Sequence, residues 1–154
     1  MDVRPVVDAD RAWIAAQIEA AFGSVRMVSR GHLFEDTSRL DGLIVPDGGV
    51  VLLSPGETDA EVVVLVAARK RAGVGRALLA AAAELGRTRG WQRLWLVTTN
   101  NNLEGIAFYQ SVGWDLVALH RDAVTEARRL KPEIPERADN GIPIRHELEF
   151  ALQL

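Results

Sequence analysis

The sequence predicts a mixed α/β fold, one sheet with helices on both faces, from three observations. Residues 60–120 alternate between strand-like and helix-like stretches in the order β-α-β-α-β, residues 43–53 read as a β-hairpin, and residues 8–23 read as an amphipathic helix.

Taken in order, Asp8 can cap a helix whose apolar positions Ile14, Ile18, Ala21 and Phe22 recur at helical spacing, with Gly23 at its end. Residues 24–40 have no clear period and hold Arg26, Arg30, His32 and Arg39. This stretch reads as mobile or substrate-facing, or as an obscure helix. Residues 43–45 and 49–53 flank Pro46-Asp47-Gly48 and form the hairpin. The Val- and Leu-rich run 60–67 has the composition of a central strand covered on both faces. A glycine-bearing loop follows at 68–76. The helix after it carries Val74, Leu78, Ala82 and Leu85 on one face and ends within 86–90. Strand 93–98, helix 102–112 and strand 114–120 complete the alternation. Three prolines mark 130–143 as a connection, and Leu148, Phe150, Leu152 and Leu154 alternate with polar neighbours as in a half-buried strand.

A length of 154 residues fits one domain spanning 1–154. The 48% hydrophobic and 25% charged content excludes disordered and fibrous classes. With 18 Lys+Arg against 21 Asp+Glu the net charge is −3 and the pI is about 5.6, so no positive field favours nucleic acid. There is no cysteine, which removes disulfides, thiolate metal ligands and cysteine nucleophiles. Neither a signal peptide nor a membrane-length apolar run is legible, and the expectation is a cytoplasmic protein without a membrane partner. Arg outnumbers Lys 16 to 2 and Ala is abundant, a bias of GC-rich bacterial genomes. His32, His120 and His146 lack metal-ligand spacing, so no metal site is expected.

The sharpest local signal is Lys70-Arg71-Ala72-Gly73-Val74-Gly75-Arg76, between a strand and a helix. Glycines let the chain turn tightly there, and successive N–H groups at a helix start form an anion site suited to a pyrophosphate. A bare strand-to-helix turn has the same composition. No Lys-Ser or Lys-Thr follows the second glycine, which excludes a Walker loop, and Leu78 occupies the third small position of a dinucleotide fingerprint. About thirty residues on comes Thr99-Asn100-Asn101-Asn102-Leu103-Glu104-Gly105-Ile106-Ala107-Phe108-Tyr109-Gln110-Ser111-Val112-Gly113-Trp114, where Asn102 and Tyr109 stand seven apart and project from one helical face.

In these two motifs, their order and their spacing, the sequence resembles the GNAT superfamily of N-acetyltransferases. The first is similar to that family's Arg/Gln-x-x-Gly-x-Gly/Ala loop, and the second to its Asn-x-x-Ala-x-x-Phe-Tyr-x-x-x-Gly-Phe segment. Lys70 stands for the usual Arg or Gln, Gly105 for alanine and Trp114 for phenylalanine. The resemblance implies the acyl-CoA N-acyltransferase fold, a mixed and mostly antiparallel sheet with helices on both faces. It also implies acetyl-CoA as cosubstrate and direct acetyl transfer to a primary amine in a ternary complex.

The resemblance places pyrophosphate on the amides from Arg71 to Arg76, with Lys70 and Ala72 in the same loop. It puts Asn102 on the cofactor, and the backbone near Leu65 and Ala67 on the thioester carbonyl. Tyr109 matches the family's proton donor, with ring packing beside Phe108 as the alternative. Glu61 is the one carboxylate in the 60–67 strand and matches a general base of histone-type members. Period-2 alternation puts it on the face of Val63, Leu65 and Ala67. Burial there raises a carboxylate from about 4.3 toward neutrality; a solvated or Arg-paired strand-start residue is the plainer reading. Glu147 and Glu149 read as a solvated strand face, or as an acceptor pocket for cationic amines, whereas Arg26, Arg30 and His32 suit an acidic acceptor. The acceptor, small molecule or protein, stays open, and edge-strand pairing into a homodimer is a family habit. A non-catalytic acyl-CoA sensor or interaction protein on the same fold is the alternative; Tyr109 and Glu61 favour catalysis.

Overall fold

A computed structural model describes residues 1–69 and 72–154. Among these residues the elements run β1 (Arg4–Pro5), α1 (Arg11–Phe22), β2 (Met27–Ser29), β3 (His32–Phe34), β4 (Gly42–Val45), β5 (Gly49–Pro55), β6 (Asp59–Ala67), α2 (Val74–Arg89), β7 (Arg93–Thr99), α3 (Leu103–Ser111), β8 (Asp115–His120), α4 (Ala123–Ala127) and β9 (Glu147–Gln153). Seven strands form one sheet in the order β1-β4-β5-β6-β7-β9-β8; β2 and β3 form a second, two-stranded sheet. The pairs β1·β4, β4·β5, β5·β6 and β8·β9 are antiparallel, so the mixed α/β class and its mostly antiparallel character hold. No helix of the described residues is long and apolar enough to cross a membrane.

Contacts gather into two units. The first comprises Met1–Val25, Glu35–Leu94 and Gln153–Leu154. Its core is β5, buried on both faces from Gly49 to Leu53, with α2 packed on β4, β5 and β6. Ile14 and Ile18 of α1 are wholly buried, whereas Phe22 is exposed. Asp8 opens a 3-10 turn at Asp8–Asp10, one turn ahead of α1, and makes no capping bond. Asp10 does the tying there: its Oδ2 accepts the Val7 N–H at 2.8 Å, and both its oxygens accept from Arg4 at 2.8 Å. Gly86 lies inside α2 rather than beyond it. The helix runs on to a left-handed Gly90, φ 78°, a conformation glycine adopts without the Cβ penalty.

The second unit comprises Arg26–Phe34 and Trp95–Leu152. The stretch 24–40 holds no α-helix: it contains the β2·β3 hairpin, closed by Arg30-Gly31 with φ of 47° and 78°, and a 3-10 turn at Thr37–Arg39. Two consecutive positive φ values suit the right-handed twist of a two-residue hairpin loop, and the usual residues there are Asn-Gly. Arginine in the first position hides that signal. A short helix α4 and the turns that follow it fill the connection to β9.

Candidate functional site

In the first unit, β6 delivers the chain to α2. Leu65 and Ala67 stand half-buried opposite Val51 and Gly49 of β5. Lys70 and Arg71 lie outside the described residues. Ala72 is exposed, Gly73 is left-handed with φ 79°, and its α-hydrogen side opens to free space. The first i to i−4 bond of α2 is donated by Ala77 to the Gly73 carbonyl at 3.0 Å. Hence the N–H groups of Val74, Gly75 and Arg76 have no partner inside the helix, as at any helix start. The first turn carries no acidic side chain, so the positive end of the helix is not neutralised by its own residues. Val74, 1% exposed, seats that turn on β5, where Gly49 makes room: a Cβ there would lie 2.7 Å from Val74 Cγ1 and 2.5 Å from the Val66 carbonyl. The sheet thereby fixes the first turn of α2, and N–H groups without a partner inside the helix are what an anion binds at a helix start.

Glu61 is buried in β6, but not on the expected face. The register shifts between Leu52 and Leu53, whose partners are Val64 and Val62, so Val63 is an extra residue in the strand. Such a bulge shifts the alternation by one position. Glu61 consequently sits across from Ser54, on the side of Leu52·Val64 and Val50·Val66, and Leu65 and Ala67 share the other side with Val62. Strict period-2 counting misses this because an insertion leaves no mark in an all-Val run.

In the second unit, Asn102 is the N-cap of α3. Its Oδ1 accepts from Gly105 N at 3.1 Å, and its Nδ2 donates to Thr98 Oγ1 at 2.9 Å. Its φ of −80° and ψ of 73° are outside the helix, so the seven-residue spacing to Tyr109 joins a cap to a helical position rather than two positions of one face. One amide hydrogen and one lone pair remain for a further bond. Gly105 has a structural reason: a Cβ there would collide with the Asn102 amide. Tyr109 packs with ring centroids 5.4 Å from Phe150, 5.6 Å from Phe108 and 6.2 Å from Trp114. Burial pushes its phenol up to about 12, so the hydroxyl keeps its proton throughout the neutral range. Among the described residues no group hydrogen-bonds that hydroxyl.

Asn100, not singled out by its sequence, fastens the connection before β9: its Oδ1 accepts the N–H groups of Arg145 and His146 at 2.9 Å, and its Nδ2 donates to the Pro143 carbonyl at 2.9 Å. The pair Glu147 and Glu149 is no solvated face. Glu147 is 3% exposed and takes Arg30 Nη1 at 3.1 Å, and Glu149 lies 2.8 Å from His120 Nε2. Of the three basic residues in the 24–40 stretch weighed for an acidic acceptor, Arg26 pairs with Glu133 at 3.6 Å, and His32 meets Phe34 edge to face. No group of three or more His, Asp or Glu among the described residues could hold a metal ion.

Residues 7–114 match the acetyltransferase (GNAT) family. The chain is 36% identical to an uncharacterized protein of Bacillus subtilis (strain 168), YxbD, over 100% of this chain and 99% of that protein. Its fold is similar to an IAA acetyltransferase from Bacillus cereus ATCC 14579, with a TM-score of 0.74, 19% identity and 99% of each chain covered. It is also similar to a Bacillus subtilis acetyltransferase in complex with CoA, with a TM-score of 0.66, 16% identity and 99% of each chain covered. With the match running from Val7 to Trp114, the chain belongs to the GNAT family of acetyltransferases.

Proposed function

We propose that this chain is an N-acetyltransferase that passes the acetyl group of acetyl-CoA directly to a primary amine in a ternary complex. The observation that carries the reading is the β6-to-α2 junction, where left-handed Gly73 turns the chain into a helix whose first amides have no partner inside the helix and no acidic side chain in their turn. Those amides, from Ala72 to Arg76, would hold the pyrophosphate, joined by Lys70 and Arg71. The CoA seen in the Bacillus subtilis acetyltransferase of similar fold supports the donor.

The roles of the remaining residues follow from their chemistry. Backbone groups near Leu65 and Ala67 would orient the thioester, and the free amide hydrogen of Asn102 would bond the cosubstrate. The acceptor arrives as an ammonium ion, and Glu61, directly or through one water, would take its proton. The amine nitrogen then bonds the carbonyl carbon, the carbon–sulfur bond breaks, the Tyr109 hydroxyl gives its proton to the departing sulfur, and the second proton that the nitrogen loses on becoming an amide returns to the phenolate. No acyl-enzyme is needed, which suits a chain with no cysteine. Turnover, rather than binding alone, is favoured over an acyl-CoA sensor because the Tyr109 hydroxyl is protonated and, among the described residues, has no hydrogen-bond partner.

A thermal-shift titration tests the donor: acetyl-CoA raises the melting temperature by mass action. Gly73→Val together with Gly75→Val abolishes the shift. Absence of any response in the parent at millimolar acetyl-CoA overturns the reading. For the base, Glu61→Gln lowers kcat/KM at neutral pH and regains part of the loss as rising pH supplies free amine; an unchanged profile at full height removes Glu61 from the chemistry.

A further inference from the structure

Strand β8 ends the order of the large sheet: β9 pairs with one side of it and no strand pairs with the other. Among the described residues the backbone of 115–120 makes no hydrogen bond outside its pairing with β9. Such an edge presents a row of N–H and C=O groups on which another strand can pair. Edges are commonly blunted by lysine, proline or a charge pointing into the sheet, and Leu116-Val117-Ala118-Leu119 holds none of these.

The side chains of this edge are apolar and open to solvent: Leu116 is 49% exposed, Val117 50% and Leu119 62%. A single exposed leucine is ordinary, whereas a contiguous group marks a contact surface. Leu116 and Leu119 stand opposite Phe150 and Leu148 of β9, two positions apart, so both leucines lie on one side of the sheet; Val117 is the extra residue between Leu116 and Ala118. Leu119 also shares an open cleft beside α4 with Leu130, which is 41% exposed, and the apolar surface continues there. A charge stands at each end of the group. Asp115 opens the strand, Arg121 follows its last residue, both are exposed, and neither makes an ion pair among the described residues. Their neighbours are paired: His120 lies 2.8 Å from Glu149, and Glu126 lies 3.5 Å from Arg129.

We propose that β8 pairs antiparallel with β8 of a second copy of this chain, so that one sheet runs from copy to copy across a two-fold axis. The charge order selects this occupant. A strand with an acid at its start and a base past its end is complementary to itself when the two copies run in opposite directions, and it sets like against like when they run in the same direction. Cross-strand neighbours share a side of the sheet, so the register that keeps the leucines together sets Leu116 opposite Leu119 of the second copy. That register puts Asp115 opposite His120 of the second copy and one residue from Arg121, whose long side chain reaches it. The open backbone, the exposed leucines and the two unpaired charges are thus satisfied by a single contact, with an apolar centre and a charged rim. The two-fold contact is closed: each copy has one β8 edge, and pairing uses it up.

Sedimentation equilibrium tests the pairing without turnover, independently of the N-acetyltransferase reading. The weight-average mass of the parent climbs from 16.9 kDa toward twice that value as concentration rises to about 1 mM. Leu119→Lys, at an exposed position, keeps the melting temperature of the monomer and raises the dimer dissociation constant by about a hundredfold, because two leucines lose their cover and two charges enter an edge. Asp115→Arg and Arg121→Asp each raise it by about tenfold, since either reversal acts at two symmetric contacts, and combining them returns it to near the parent value. Amide hydrogen exchange at 115–120 slows as the dimer fills. A parent that stays monomeric at 1 mM overturns the proposal, and so does a dimer indifferent to Leu119→Lys, whose interface then lies elsewhere. A double reversal as weak as the two single ones combined overturns the antiparallel arrangement.

Discussion

The Glu147 carboxylate accepts both the backbone N–H and the guanidinium of Arg30, a residue 117 positions earlier in the chain. Glu147 is 3% exposed, so its charge has little help from water and depends on this partner. Glu147→Gln keeps the shape and removes the charge, and it lowers unfolding free energy by about 1.5–3 kcal/mol, the worth of hydrogen bonds to a charged group. Urea denaturation measures it. A loss below a few tenths of a kcal/mol would show that the hairpin tip needs no anchor.

Tyr109 is the only tyrosine in the chain, so tyrosinate absorbance reads it without assignment. The native protein titrates near 12 and the urea-unfolded chain near the ordinary value of about 10. Because the folded pKa is the higher one, the unfolded chain ionises first, and stability falls as pH rises above about 10. Tyr109→Phe removes that fall. On any accepted amine it also lowers turnover by on the order of 10²–10⁴-fold while the acetyl-CoA shift is unchanged. Native titration near 10 would show an open, solvated ring.

Gly105→Ala sets two helix rules against each other. Alanine is favoured over glycine inside a helix by about 1 kcal/mol. Its methyl group, however, displaces the Asn102 amide, and loss of an N-cap costs about 0.5–2 kcal/mol. The expected single-variant effect is therefore near zero or destabilising, where propensity alone would stabilise. The double-mutant cycle decides: Asn102→Ala destabilises the parent but has little effect after Gly105→Ala. Additive effects would mean that the cap survives the methyl group.

The Arg4 guanidinium, the main cause, and the Val7 N–H hold the Asp10 carboxyl down at about 2, below its ordinary 3.8. A depressed folded pKa stabilises above the unfolded pKa and is lost as pH falls through the folded one, here between about 4 and 2. Asp10→Asn is less stable than the parent at pH 6, and the gap closes on acidification to pH 2. Thermal melts across that range check it; a constant gap would assign the effect to packing.

What could be read in advance followed the strength of the local signal. Glycine and proline punctuation placed β4, β5, β6, α2, β7, α3, β8 and β9 within a few residues, because the breaks and the apolar periods agreed. The hairpin β2·β3 stayed hidden, since Arg30 occupies a turn position where asparagine or glycine is the recognisable residue. Arg30 and Glu147 could be named as charged residues, but their union spans most of the chain and has no periodic trace. Asn102 is legible as a polar residue at a helix start, but the same residue type serves a cap and a ligand, and only the fold shows its Oδ1 on the Gly105 N–H. Gly105 looked like a departure from the family pattern, and the bond it makes room for is only three residues away.

The extra residue Val63 makes side membership in β6 a matter of counting rather than of chemistry. Removing that one valine would restore even pairing with β5 and leave Glu61 where it is, opposite Ser54 and on the side of Val64 and Val66. A single in-frame codon loss at this point would therefore straighten the strand and keep the buried carboxylate in its layer, so the strand tolerates a change of length here without a change in what Glu61 faces.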